Sequence, residues 1–132
     1  ASDVYKRQIE HYSNSLKVEP EKVALNPLDE ELLKKAIAIV EKHMDNVEFS
    51  TEIFAREMCM SRSNLHIKMK ALTGESANDF IRKMRFNQAC KLLKEGKYTV
   101  SEISGMVGFN TPSYFATSFK KYFGCLPSEY GK

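Results

Sequence analysis

Residues 100–124 read VSEISGMVGFNTPSYFATSFKKYFG. Thr111 is a favourable N-cap, Pro112 suits the first helical position where its missing N–H costs nothing, and Gly124 suits the position after a helix end. These signals predict one helix over 100–107 and a second over 111–123, joined by a tight turn at 108–110. Two short helices around a tight turn are typical of a helix-turn-helix unit.

The same pattern occurs earlier in the chain, where residues 51–74 read TEIFAREMCMSRSNLHIKMKALTG. Small or apolar residue types recur at matching places when the chain is shifted by about fifty residues, with one extra residue in the second turn. The matched pairs are Phe54 with Ile103, Ala55 with Ser104, Met58 with Val107, Ser63 with Ser113, Leu65 with Phe115, Met69 with Phe119, Lys70 with Lys120 and Gly74 with Gly124. The repeat predicts a first helix-turn-helix unit, with helices over 51–58 and 61–72.

Residues 76–95 are predicted to form one long helix between the two units, ending at Gly96. The apolar residues of this segment are too many for a single stripe, so we expect it to contact protein on more than one side. A helix of about nineteen residues is roughly 28 Å long, and half-sites one turn apart on B-DNA are roughly 34 Å apart. A rigid spacer of this length can hold two recognition helices on the same face of one duplex.

The remaining segments complete the predicted fold. Apolar residues recur at three- and four-residue steps from Leu28 to Met44, which predicts an amphipathic helix, and residues 126–130 predict a last helical turn. The fold class is therefore all-α, with seven helices over residues 28–132. Residues 1–27 have no settled period and contain Pro20 and Pro27, so we interpret them as a linker or arm from a preceding domain.

The charges are unevenly distributed along the chain. Residues 1–57 contain eight Lys and Arg against twelve Asp and Glu, whereas residues 58–132 contain twelve against five. No acidic residue occurs in 58–74 or in 103–128, the segments that cover both predicted second helices. A carboxylate facing phosphates would be repelled, so the basic half is the candidate for contact with a polyanion.

Composition excludes several classes of protein. No apolar run approaches the eighteen or so residues that span a bilayer, and the N-terminus lacks the pattern of a signal peptide, so we expect a cytoplasmic protein without membrane contact. Cys59, Cys90 and Cys125 are odd in number and widely spaced, which fits neither a disulfide framework nor a Cys-x-x-Cys site. We expect free thiols in a reducing compartment, packed in the core.

An enzyme has little support in the sequence. There is no phosphate-binding glycine loop and no motif of paired catalytic carboxylates, and His11, His43 and His66 are not spaced as metal ligands. We therefore expect no catalysis, no cofactor and no metal, although an alkyl-acceptor role for the Cys59 or Cys125 thiol stays open. A second alternative is a helical protein-interaction module whose basic face binds an acidic partner.

Several motifs of this chain occur together in one protein family. In order they are VGF at 107–109, SYF at 113–115, FKK at 119–121 and FG at 123–124, followed by Pro127 and Tyr130. This ordered set resembles the C-terminal signature of AraC/XylS-type transcription regulators, over about residues 28–132. The resemblance implies a homeodomain-like pair of helix-turn-helix units joined by a long helix, sequence-specific binding of double-stranded DNA, and contact with RNA polymerase. It also implies homodimerisation through domains outside this chain.

A narrower resemblance rests on shorter strings. These are MSRSNLH at 60–66, LTG at 72–74, VEP at 18–20 and LDE at 28–30. They are similar to the output domain of the hybrid two-component regulators of gut Bacteroidetes. In those proteins a periplasmic sensor, a histidine kinase and a receiver precede this domain, and genes of glycan use are the targets.

The N-terminal part of the second helix reads base edges in a helix-turn-helix unit. Carried over position by position, the family pattern implies base-edge contacts in the first unit for Ser63, His66 and Ile67. The expected phosphate contacts there are Arg62, Lys68 and Lys70. Ile67 stands where the family often has arginine, and an aliphatic side chain can still meet a thymine methyl group.

In the second unit the residues expected to face the groove are Ser113, Ala116 and Thr117. The residues expected near the DNA backbone are Asn110, Thr111 and Lys121. These small groove-facing side chains predict a more permissive readout than in the first unit. The aromatic stripe of Phe115, Phe119 and Phe123 is expected in the core, with only Tyr114 exposed.

Overall fold

Seven helices occupy residues 26–130, the part of the chain that the computed structural model describes. In order they are α1 Pro27–Lys42, α2 Thr51–Glu57, α3 Arg62–Thr73, α4 Ala77–Glu95, α5 Val100–Met106, α6 Pro112–Phe123 and α7 Pro127–Tyr130. Within this range there is no strand, and the predicted all-α fold is confirmed. Residues 1–25, which make up most of the predicted arm, lie outside the described residues.

Helix α1 begins one residue before the predicted start at Leu28. The side-chain oxygen of Asn26 accepts a hydrogen bond of 2.8 Å from the backbone N–H of Asp29, which satisfies one free donor of the first turn. Pro27 takes the first helical position, where no N–H is needed. The Asn-Pro pair therefore starts the helix instead of separating it from the preceding segment.

The two second helices, α3 and α6, begin and end at the predicted capping residues. The hydroxyls of Ser61 and Thr111 each accept a hydrogen bond of 3.1 Å, from the N–H of Asn64 and Tyr114 respectively. Gly74 and Gly124 then end these helices in the left-handed conformation, with φ of 79° and 82°.

Two hydrophobic cores lie in the described part of the chain, and α4 contributes to both. Its N-terminal half provides Ala77, Phe80, Ile81 and Met84 to the core formed with α1, α2 and α3. Its C-terminal half provides Phe86, Ala89, Cys90, Leu92 and Leu93 to the core formed with α5, α6 and α7. This confirms the prediction that the long helix contacts protein on more than one side.

The second core is built mainly from aromatic rings. The ring of Phe86 lies 5.5 Å from that of Phe123 and 6.0 Å from that of Phe119, both in edge-on geometry. The ring of Phe109 stacks on that of Phe86 at 5.6 Å and lies 5.1 Å from that of Phe115 in a tilted arrangement. Such pairs contribute about 0.5–1.5 kcal/mol each beyond the burial of their area.

The internal repeat extends to the helix that precedes each unit. Leu33, Ala36 and Val40 of α1 are buried at the spacing of Phe86, Ala89 and Leu93 in the second half of α4. The first unit is therefore α1, α2 and α3, and the second is the C-terminal half of α4 with α5 and α6. Helix α4 completes the core of the first unit with its N-terminal half and begins the second unit with its C-terminal half.

The cysteines do not all lie in the core, which corrects our expectation for one of them. All three are free; Cys90 is buried and Cys125 half-buried, but Cys59 is exposed. Cys59 occupies the first turn with φ of 60°, so its position is set by the chain reversal and not by packing. Burial raises the pKa of the Cys90 thiol to about 12, which keeps it protonated at neutral pH.

Across residues 26–130, none of the helices has the combination of length and apolar composition that crossing a bilayer requires.

Candidate nucleic-acid interface

Helix α3 buries one face and exposes the other. Leu65, Met69 and Leu72 point into the first core. The three predicted base-edge residues, Ser63, His66 and Ile67, are exposed and line one open cleft of about 680 Å³. Ile67 has 64% of its surface exposed, although its side chain is apolar. The structure thus brings this predicted group together on one surface.

Helix α4 contributes to the same cleft through its first turn. Asn78 is exposed and lines the cleft together with Ser76, the N-cap of α4. The sequence analysis did not single out Asn78, because no motif contains it and its place beside α3 follows only from the fold. Its amide can both donate and accept hydrogen bonds beside the side chains of α3.

The cations of α3 are exposed but differ in their surroundings. The Lys68 ammonium lies 3.9 Å from the Asp29 carboxylate at the start of α1, whereas Arg62 and Lys70 have no ion pair within the described residues. An opposite charge at this distance offsets part of the Lys68 charge that a phosphate would meet. Lys68 therefore has less charge to offer a phosphate than Arg62 and Lys70, the two other predicted phosphate contacts.

Helix α6 has the same division into two faces. Phe115, Phe119 and Phe123 are buried as predicted, and Tyr114 has 60% of its surface exposed. Ser113 and Thr117 are exposed on the opposite side, whereas Ala116 is half-buried. Sequence reasoning gave the exposed Tyr114 no role, although it follows Ser113 directly.

Two hydroxyls of this unit are engaged in hydrogen bonds along the helix. The Thr117 hydroxyl donates to the Ser113 carbonyl oxygen at 2.9 Å. Its methyl group and a free lone pair of its oxygen remain for an external partner. The Thr111 hydroxyl accepts from the Tyr114 amide and so keeps its own proton for donation. Asn110 and Lys121 are exposed on either side of these residues.

No group of three or more His, Cys, Asp or Glu side chains in residues 26–130 is arranged to hold a metal ion. His43, which lies outside the exposed faces of α3 and α6, pairs with Glu57 and stacks on Phe49 at 4.6 Å. These contacts join the end of α1 to α2, so His43 supports the first unit from within.

Comparisons with known proteins agree with this geometry. A family model described as "Helix-turn-helix domain" matches residues 54–132. A protein named Histidine kinase P4 from Formosa agariphila is 40% identical over 119 residues, which is 90% of this chain and 9% of that protein. The chain thus spans less than a tenth of the length of this curated relative.

Two solved structures with similar folds show the same kind of domain. The C-terminal domain of AraT, a response regulator from Geobacillus stearothermophilus, gives a TM-score of 0.71 at 29% identity, covering 82% of this chain and 86% of that chain. The DNA-binding domain of the global transcriptional factor AdpA, solved in complex with a target DNA, gives 0.69 at 28% identity, covering 75% and 88%.

The repeated unit and its exposed, acid-free second helices define the class as a DNA-binding protein of the helix-turn-helix type. The chain belongs to the helix-turn-helix domain family, and within it to the AraC-type DNA-binding domains of transcription regulators.

Proposed function

We propose that the chain binds one DNA duplex with both units, so that α3 and α6 enter successive segments of the major groove. The observation that supports this is the duplicated unit itself. Both second helices have a hydroxyl N-cap, buried residues at matching positions, a left-handed glycine at the end, and an exposed face free of acidic residues. A carboxylate on either exposed face would repel phosphates, so the absence of acidic residues from both faces supports contact with a DNA backbone.

In the first unit, Ser63, His66 and Ile67 contact base edges. The serine and the histidine make hydrogen bonds, and the aliphatic Ile67 packs on a thymine methyl group. Arg62 and Lys70 bind phosphates, while Lys68 contributes less because Asp29 lies beside it.

In the second unit, Ser113, Ala116 and Thr117 face the groove. Because the Thr117 proton is engaged with the Ser113 carbonyl, Thr117 packs its methyl on thymine or accepts a hydrogen bond from an amino group of adenine or cytosine. Asn110, Thr111 and Lys121 contact the backbone. Because these side chains are small and have few free donors, the second unit tolerates more variation in base sequence than the first.

In the whole protein, the chain acts as the output domain of a hybrid two-component regulator in the cytoplasm. The long alignment with a much longer protein named as a histidine kinase supports this arrangement. The domain acts by binding and not by catalysis, without metal or cofactor, and contacts RNA polymerase, with homodimerisation through other domains. Sequencing the whole reading frame that contains this chain tests the arrangement, because the proposal requires that a receiver domain is encoded upstream of it.

Selection of bound sequences from a randomised duplex pool tests whether both units bind one duplex, which we call two-headed binding. We expect two short conserved blocks about one helical turn apart, both protected in a footprint. His66→Ala should cost about 1–3 kcal/mol on the selected site and relax the preference within one block only. Thr117→Ala should relax the other block by a smaller amount, because that unit makes fewer polar contacts.

Salt dependence separates phosphate contacts from base contacts. Lys121→Ala should reduce the slope of log K against log salt by about one without changing the selected sequence. Lys35→Ala, an exposed lysine of α1, is the matched control and should leave the slope unchanged. A single conserved block, or binding without sequence preference, would contradict the proposal, and the latter result would favour a basic-faced protein-interaction module.

A further inference from the structure

Arg85 lies on α4 at the junction of the two hydrophobic cores. Its neighbour Met84 belongs to the first core and its neighbour Phe86 to the second. Ile81 and Ala89, one turn before and one turn after, are both buried, so Arg85 occupies the apolar stripe of the helix. Burial lowers the pKa of its guanidinium, which nevertheless stays protonated because arginine is not deprotonated in proteins.

The guanidinium of Arg85 forms hydrogen bonds with both units. Its Nη2 donates to the backbone carbonyl of Asn46, in the connection between α1 and α2, at 2.9 Å. Its Nη1 donates to the backbone carbonyl of Gly108, in the turn of the second unit, at 3.0 Å. One rigid, planar group therefore links the first unit to the second through two directional bonds.

The contact between the units is close. A methyl group added at Gly108 would lie 2.7 Å from the carbonyl oxygen of Met44 and 2.8 Å from Cζ of Arg85. The φ of Gly108 is also 83°, so no other residue fits without strain. The second turn thus packs directly on the first unit, and α6 begins only a few residues after it, at Pro112.

The Arg85 contact costs stability as well as contributing to it. The Nε of Arg85 is buried and has no hydrogen-bond partner among the described residues. Arg85 is half-buried, so its charge loses part of its hydration, and this loss is offset only as far as its hydrogen bonds are complete. Stability alone therefore does not account for an arginine here, whereas orientation does, because hydrophobic packing is not directional and hydrogen bonds are.

We propose that Arg85 is a positioning residue that fixes the angle between the two helix-turn-helix units and so sets the number of base pairs between their half-sites. The inference rests on the proposed two-headed binding. One base pair of extra spacer moves a half-site along and around the duplex, and a pair of units locked by Arg85 cannot follow it.

Duplexes in which the spacer between the selected half-sites is one base pair longer or shorter test this role. The wild-type chain should lose about tenfold or more in affinity on either altered spacer, a loss comparable to that of one mismatched base pair. Arg85→Met should reduce that loss to about threefold or less, because the units can then reorient at small cost. Affinity for a single half-site should not change, since Arg85 is not one of the residues assigned to base or phosphate contact in either unit.

Arg82→Met is the matched control, because Arg82 is exposed on the same helix and, among residues 26–130, pairs only with Asp79 one turn away, at 3.8 Å. It should keep the wild-type spacer preference. Arg85→Lys retains the charge but loses the planar two-bond geometry, so it should give the relaxed preference too and carries the test if Arg85→Met does not fold.

A folded Arg85 variant that keeps the wild-type spacer preference overturns the positioning role and leaves the two-headed binding intact. A wild-type chain that tolerates every spacer equally, or protects only one half-site, instead contradicts the two-headed binding itself.

Discussion

The turns of the two helix-turn-helix units have the same local geometry in different surroundings. In each, a backbone amide of the turn donates to a carbonyl of the preceding helix at 2.9 Å, Met60 to Ala55 in the first unit and Phe109 to Ser104 in the second. Each also contains one left-handed residue, the exposed Cys59 in the first and the buried Gly108 in the second.

This difference shows what decides the residue in such a turn. A left-handed conformation disfavours a side chain by a modest amount, which Cys59 tolerates because its side chain is exposed. At Gly108 a side chain would also meet the backbone of the first unit. The turn therefore favours glycine at this position, and the neighbouring unit turns that preference into a requirement.

The largest difference between the units should appear in their cores. Phe119 and Met69 are matched positions with no exposed surface. Phe119→Ala should cost about 3–5 kcal/mol and Met69→Ala about 2–5 kcal/mol. We expect Phe119→Ala at the higher end, because its ring contacts three other phenylalanines and Tyr130. Urea denaturation measures the unfolding free energy of both variants. An equal or larger loss for Met69→Ala would show that the aromatic rings do not make the second core the more sensitive one.

The next effect concerns the docked turn. Gly108→Ala should cost about 2 kcal/mol or more in unfolding free energy, because it adds a backbone clash to the left-handed strain. Gly74→Ala is the matched control, since its φ is 79° and a methyl group there meets nothing within 4 Å. It should cost only about 1 kcal/mol. Equal losses in denaturation experiments would show that the close contact of Gly108 with the first unit adds nothing to the left-handed strain.

The smallest effect concerns α2 and α5, the helices that precede the two turns. In α5, Thr99 and Glu102 form a capping box, and the hydrogen bonds from Thr99 lower the pKa of the Glu102 carboxyl. Because the folded-state pKa is below the unfolded value, this stabilisation is present at neutral pH and is lost as pH falls through the folded-state pKa. Glu102→Gln should therefore lower Tm slightly at neutral pH, and its Tm should approach that of the wild type in acid.

The first unit provides the control for this change. Helix α2 has Ile53 at the position that Glu102 occupies in α5, so no capping box forms there. Glu52→Gln, in the first turn of α2, should change Tm less at neutral pH. A pH-independent difference for Glu102→Gln would show that its charge has no part in the cap.

Local signals in the sequence predicted the helices well. Hydroxyl caps, terminal glycines and apolar spacing act within a few residues, so Ser61, Thr111, Gly74 and Gly124 gave the bounds of α3 and α6 closely. The same spacing predicted which face of each helix is exposed, whereas the choice of Ser63, His66 and Ile67 on that face came from the family resemblance.

Contacts between distant segments were not predictable in this way. Arg85 bonds to residues 23 and 39 positions away, and no local pattern gives those partners. Its one signal was a charge within the apolar stripe between Ile81 and Ala89. The pairing of Lys68 with Asp29 and the exposure of Cys59 were missed for the same reason, since both depend on how the chain folds back.

Helix α7 also has a counterpart in the repeat. Pro127 and Tyr130 are buried after Gly124 at the same spacing as Ala77 and Phe80 after Gly74, where α4 begins. Helix α7 therefore covers the second core in the way that the first two turns of α4 cover the first. Each core is sealed by a helix that follows its second helix directly, so the long connector between the units is also the lid of the first core.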